Sequence, residues 1–101
     1  MENKIAEILK EMDIKVGYRK LTVGVKPPFI IYYNTGSRNT NADNQVYYKT
    51  NNFNIELYNT KKDYKLEEKL ENLLNTNNII WDKGTDIYIK DEDVLLTPYY
   101  I

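Results

Sequence analysis

The chain contains no cysteine, so it has no disulfide framework, no thiolate metal site and no Cys nucleophile. It contains no histidine, which removes the commonest catalytic base and the commonest transition-metal ligand. Ser37 is the only serine, and without a histidine to activate it Ser–His–acid catalysis is excluded. Glycine is sparse, at 4 residues, and none falls in a GxGxxG or phosphate-loop pattern. Long apolar runs are lacking. The longest, Phe29 to Tyr33 and Val94 to Leu96, are far too short to span a bilayer. Met1-Glu2-Asn3-Lys4 leads into an amphipathic stretch and not an apolar signal region, so a soluble protein made in a cytoplasm is expected. An excess of either charge is lacking too. The net charge of −1 excludes a general polyanion-binding surface, though not a local basic patch.

What remains is a chain of 101 residues, 42% hydrophobic and 29% charged. Surface scaling gives about 6,000 Å² folded against about 17,400 Å² unfolded, enough for one small domain over residues 1–101 with one core. Tyrosine is abundant at 10 residues against 2 Phe and 1 Trp. Its ring buries while its hydroxyl stays wet, which suits half-buried strands and contact surfaces. Asparagine is abundant as well, which an AT-rich coding sequence accounts for.

The hydrophobic pattern predicts a helix over Glu2 to Met12, with Ile5, Ile8, Leu9 and Met12 on one stripe. Residues 13–26 fit either one short strand or a long connection. Pro27-Pro28 donate no N–H and mark the start of a strand, Phe29 to Tyr33, apolar on both faces. Asn34 to Asn44 has no apolar periodicity and predicts a surface loop, mobile alone and ordered on docking. Two short strands, Gln45 to Thr50 and Phe53 to Asn59, then flank a tight Asn51-Asn52 turn. Asp63 to Asn75 predicts a second helix on Leu66, Leu70, Leu73 and Leu74, capped by Thr60 or Asp63, with Glu67 and Glu68 on a solvated face. Asn77-Asn78 stops it. A hairpin of Ile79 to Lys83 and Asp86 to Lys90 is expected next, with Ile87 and Ile89 inward. The acidic turn Asp91-Glu92-Asp93 follows. The last strand is Val94 to Ile101, where Pro98 argues for a sheet edge or a bulge. The order α–β–β–β–α–β–β–β implies an α+β fold, a mostly antiparallel sheet packed by two helices.

Candidate chemistry is thin. Asp43, Glu56, Asp82, Asp86 and Asp91-Glu92-Asp93 are the carboxylates a divalent cation would use, but they lack the spacing of an EF-hand loop. Asp43 with Glu56 is the nearest acidic pair for a nuclease, and no Lys stands two residues after Glu56. Arg19-Lys20 and Lys61-Lys62 are only dipeptides, and Arg38 and Lys49 are isolated, so no basic aromatic face for nucleic acid is legible. Glu56 reads equally as a cross-strand partner of a lysine such as Lys49. The positive signal is contact surface: Tyr32, Tyr47, Tyr48, Tyr58, Tyr88, Tyr99 and Tyr100 stud the strands, more than so small a domain can bury.

The middle of the chain resembles a known family. Phe29-Ile30-Ile31-Tyr32-Tyr33, a polar stretch holding Asn41-Ala42-Asp43-Asn44, Val46-Tyr47-Tyr48, and Ile55-Glu56-Leu57-Tyr58 ahead of Lys62-Asp63 and an acidic, Leu-bearing helix resemble small tail-completion proteins of siphophages and prophages of Gram-positive bacteria. Ile79-Ile80-Trp81, Ile87-Tyr88-Ile89 and the final aromatic strand fit the same pattern, so the likeness covers about residues 27–101. The resemblance implies a tail-terminator-like α+β fold and no enzymatic activity, cofactor or metal. It implies a ring, often a hexamer, of subunits that are monomeric until they meet the head-proximal end of the tail tube. Its partners would be the major tail tube protein and the head connector or head-closure protein, with no membrane and no specific nucleic acid. It would act in the host bacterial cytoplasm during assembly and then in the virion neck. Partner-facing candidates are Arg38, Asn41, Asp43 and Asn44 in the loop, with Arg38 and Asp43 pairing to partner charges, and Tyr47, Tyr58, Tyr99 and Tyr100 on strands. A head-closure or neck adaptor makes nearly the same sequence demands. An unrelated peptide- or nucleic-acid-binding module is the remaining alternative.

Overall fold

A computed structural model describes residues 2–21, 24–42 and 45–101, with side chains apart from those of 2–3 and 36–51. Helix α1 (Glu2–Lys10) forms on the apolar stripe, and Ile5, Ile8, Leu9 and the following Met12 are all buried. Strands β1 (Lys15–Tyr18), β2 (Phe29–Ala42) and β3 (Gln45–Asn59) follow, then helix α2 (Tyr64–Thr76) and the strands β4 (Asp82–Lys83), β5 (Ile87–Ile89) and β6 (Val94–Tyr100). Asp63 caps α2, its carboxylate accepting the Leu66 N–H at 3.1 Å. Asn77 ends the helix and Asn78 turns the chain away at φ 59°.

The fold is α+β with a mixed six-stranded sheet in the order β1-β2-β3-β6-β4, β5 also pairing with β6. β1 runs parallel to β2, and the other pairings are antiparallel. The register of β2, β3 and β6 puts Ile30, Tyr32, Phe53, Ile55, Leu57 and Tyr99 on one face. These residues bury against Ile5, Leu9 and Met12 of the α1 segment and Leu70 and Leu74 of α2. Both helices therefore cover the same face, and the opposite face carries no helix.

The element string matches the expected one, but its members differ. The stretch expected as a loop from Asn34 is strand as far as Ala42, paired with β3 from Asn34–Phe53 out to Ala42–Gln45. Asn51-Asn52 is not a turn; it runs through the middle of a continuous β3, opposite Ser37 and Gly36. Periodicity does not reveal this because Asn34 to Asn44 has no apolar alternation, and the pairing shows only in the backbone ladder with β3. Extra residues at Thr35 in β2 and Tyr47 in β3 shift the register, bulges that bend a ribbon and raise its twist.

The expected hairpin after α2 is also revised. β4 and β5 do not pair with each other; each takes a different end of β6. Ile87 consequently points to the helix-free face and is exposed, not inward. Pro98 explains the division. Phe53 and Ile101 exchange both backbone bonds, at 3.1 and 2.9 Å. The alternation of antiparallel pairs then turns the polar backbone atoms of Pro98 away from β3. Its carbonyl accepts the Gly84 N–H at 2.9 Å, and its missing N–H falls in the gap between β4 and β5. Proline thus sits inside the sheet, not at its edge, at the one place where the outer neighbour is interrupted. Gly84 fits there because a Cβ would lie 2.8 Å from the Pro98 ring.

Beyond Gly36 and Asn52 the β2–β3 ribbon leaves the helix-packed body as a two-stranded arm. β2 has 14 residues, about 46 Å at ~3.3 Å per residue, close to the 50 Å long axis of the molecule. The radius of gyration is 15.0 Å, where a compact chain of this length gives about 13 Å.

Candidate assembly surface

The helix-free face is built from the other set of alternating residues. Cross-strand rows run Phe29–Tyr58–Leu96–Ile87, then Ile31–Glu56–Pro98, then Tyr33–Asn54–Tyr100–Asp82. Phe29 stacks on Tyr58 with ring centroids 4.8 Å apart. At the centre stands Glu56. Its carboxylate accepts the Tyr58 hydroxyl at 2.8 Å and the Tyr33 hydroxyl at 3.0 Å, and Asn54 donates to the Tyr33 oxygen at 3.2 Å. Burial and then the Glu56 carboxylate push the Tyr58 phenol well above the usual tyrosine range. Burial raises Tyr33 as well, with the Asn54 amide opposing and Glu56 assisting. Both phenols remain protonated donors. The expected Lys49–Glu56 cross-strand pair is ruled out because the two residues lie on the same strand.

The β4–β5 end is fastened to α2 by charge. Glu67, only 3% exposed, accepts from Lys83 at 2.5 Å and Lys62 at 3.1 Å. Lys62 also reaches Asp86 at 2.7 Å, and Lys83 reaches Glu71 at 3.0 Å. Thr97 donates to Asp86 at 2.9 Å and Tyr99 to Glu71 at 2.8 Å. The chain from Asp86 through Lys62, Glu67, Lys83 and Glu71 to Tyr99 leaves no carboxylate of the set unpartnered, as buried charge requires. Glu67 is expected on the solvated face but is buried; with Leu70 and Leu74 it follows the spacing i, i+3, i+7 of the buried stripe, which is the signal that marks it.

This network has a pH signature. Burial alone would raise the Asp86 carboxyl, but the Lys62 and Thr97 hydrogen bonds and the Lys62 charge hold it below the usual carboxylate range. Its contribution to stability is complete above the unfolded value of about 3.9 and is lost as pH falls through the lower folded value. Lys62 and Lys83 behave oppositely. Burial opposes their charge, and the carboxylate partners raise them above the usual lysine range. Their contribution fades only as pH climbs past about 10.4. Lys62→Met should therefore move the midpoint of acid unfolding, followed by circular dichroism, upward by roughly a few tenths of a pH unit. An unmoved midpoint would show that Asp86 draws nothing from Lys62.

The expected partner-facing residues are distributed unevenly. Tyr100 is exposed on the helix-free face, and Tyr58 is half-buried there. Tyr99 is not a contact residue: it is 0% exposed in the core, its ring edge on Trp81 at 5.7 Å. Arg38, Asn41 and Tyr47 fall on the arm strands, where only the backbone is described. Asp43 and Asn44 lie outside the described residues. Ile80 is 91% exposed, and Ile87 on β5 and Tyr64 on α2 are exposed as well. Ile80, Asp82, Tyr100, Ile101, Thr35 and Asn54 border an open groove of about 570 Å³ at the base of the arm. Solitary exposed side chains are ordinary, but here an apolar residue and an aromatic one share one groove.

Among the described residues no group of three or more acidic side chains is placed to hold a metal ion. No described helix is long and apolar enough to cross a membrane. Comparison with protein-family models and with curated proteins finds no match for this chain.

Proposed function

We propose that this protein is a non-enzymatic tail-completion component of a siphophage or prophage. It caps the head-proximal end of the tail tube as a ring, halts tube growth and joins the tail to the head. The observation that carries the reading is the arm. Much of the polar stretch in the resemblance is a two-stranded ribbon projecting from the domain. Accessible surface is 7055 Å², about 1,000 Å² above the value for a compact monomer of this mass and comparable to one side of a specific protein interface. The aromatic helix-free face supplies a second contact surface, for the tube or for the head connector.

Purified protein added to tubes assembling from the major tail protein should bind one end only and fix the length distribution seen by electron microscopy. Tubes that keep lengthening at the wild-type rate would refute tail termination. End binding without length control would instead identify a neck adaptor.

A further inference from the structure

The two faces of the sheet treat their carboxylates differently. On the α2 side, Glu67, Glu71 and Asp86 are each paired with Lys62 or Lys83. On the helix-free face, Glu56 and Asp82 belong to no ion pair among the described residues. Glu56 is half-buried at the centre of that face, between Ile31 and Pro98 on the neighbouring strands. A carboxylate there gives up part of its hydration, and an apolar side chain would pack more favourably. Among the described residues its hydrogen-bond partners are two phenols, Tyr33 at 3.0 Å on one oxygen and Tyr58 at 2.8 Å on the other. They orient the charge without neutralising it. A carboxylate that accepts two bonds still has about two acceptor positions free.

The surroundings favour a cation. Phenols that donate to a carboxylate are polarised by it, so the Tyr33 and Tyr58 rings become more electron-rich and attract cations more strongly. Tyr100, 45% exposed, adds a third ring in the row that joins Asn54 to Asp82. Glu92, in the acidic turn, adds its negative charge to the Tyr58 end. Against these anions the face sets Lys15, at the corner beside Phe29. Asp82 lies two strands across from Asn54, and Glu56 lies two residues along from it. At ~4.8 Å per strand and ~3.4 Å per residue the two carboxylate positions are roughly 12 Å apart. Residues i and i+4 of an extended chain lie on one side of it and span about 13 Å. The face is an open sheet with a groove at one end and not an enclosed cavity, which suits a protein segment over a small molecule.

We propose that the helix-free face binds an arginine-bearing segment of a partner protein, one guanidinium on Glu56 between the two tyrosines and a second on Asp82 beside Tyr100. Charge complementarity selects the occupant: two carboxylates that the chain itself leaves without counter-charge, at the spacing of alternate side chains on an extended strand. Arginine fits better than lysine because its planar head both stacks on tyrosine and forks to a carboxylate. The inference gives a chemistry to the second contact surface of the proposed function. It rests on that reading for its place in assembly, though not for its test.

The probe is a short synthetic peptide of threonines with two arginines four residues apart. Titrated at low salt against the isotopically labelled full chain, it should bind with a Kd of about 1 mM, weakening as salt is added. The amide NMR signals of Tyr33, Glu56, Tyr58, Asp82 and Tyr100 should shift, while those of α1 and α2 stay in place. The same peptide with citrulline for arginine, which keeps the shape and loses the charge, should not bind. Glu56→Gln, which keeps an oxygen for a tyrosine, should weaken binding at least about fivefold. Asp82→Asn, an exposed change that leaves folding untouched, should do the same. Glu68→Gln, at an exposed acid on α2, should bind as wild type does. No shifts up to about 5 mM peptide, equal binding of the citrulline peptide, or unchanged affinity in either Glu56→Gln or Asp82→Asn would overturn the proposal. Tube capping measured in parallel separates the two readings. A protein that binds the arginine peptide and caps no tube keeps this site and loses tail termination. One that caps tubes and ignores the peptide does the reverse.

Discussion

Tyr99→Ala should lower the unfolding free energy by about 4 kcal/mol, the range for emptying a buried aromatic site. A domain of this size holds only about 5–15 kcal/mol in all, so a fall in melting temperature of roughly 20 °C is expected. The loss has two sources. The ring is fully buried against Trp81 and the helices, with the Lys83 ammonium 5.7 Å from its centroid. The hydroxyl reaches Glu71, which in turn holds Lys83. Tyr99→Phe separates them. It keeps the ring and removes one bond from a carboxylate that retains Lys83, so it should cost only about 1 kcal/mol. Equal losses in the two variants would mean that the hydroxyl, and not the ring, organises this end of the sheet. Chemical denaturation of both proteins measures the difference.

Deleting the arm should have the opposite profile. Joining Thr35 to Asn52 through a two-residue Asn-Gly turn removes residues 36–51, the two-stranded arm. The core contacts of β2 and β3 lie at Ile30, Tyr32, Phe53, Ile55 and Leu57, all on the body side of the join. The melting temperature should stay within a few degrees, since surface changes away from such contacts are usually within about 0.5 kcal/mol. Tube capping should be abolished, with lengths indistinguishable from tubes assembled alone. Full capping by the armless protein would remove the arm from the function. A collapse in stability would mean that the ribbon is an organ of folding.

The contrast between these variants follows what the sequence could and could not disclose. Both helices were legible because Ile5, Ile8, Leu9 and Met12, and Leu66, Leu70, Leu73 and Leu74, repeat at the helical period against a core. The inner faces of the strands were legible for the same reason at Phe53, Ile55 and Leu57. The arm was not, because its sequence lacks apolar alternation, and Asn-rich stretches look like turns. Its partner strand is what makes it a strand, and that information is long-range. Pro98 misled for a related reason: proline prohibits one hydrogen bond on one side of a strand, not membership in a sheet. Tyr99 and Tyr100 show the limit for a contact surface. They are neighbours of the same type, and only the pleat decides that one is sealed in the core and the other faces solvent.

Because the ribbon beyond Thr35 projects from the helix-packed body as a separate two-stranded unit, its sequence can drift without endangering the rest of the molecule. A lineage could then exchange one docking partner for another by rewriting that segment alone, while selection for solubility and folding continued to act on a separate set of positions.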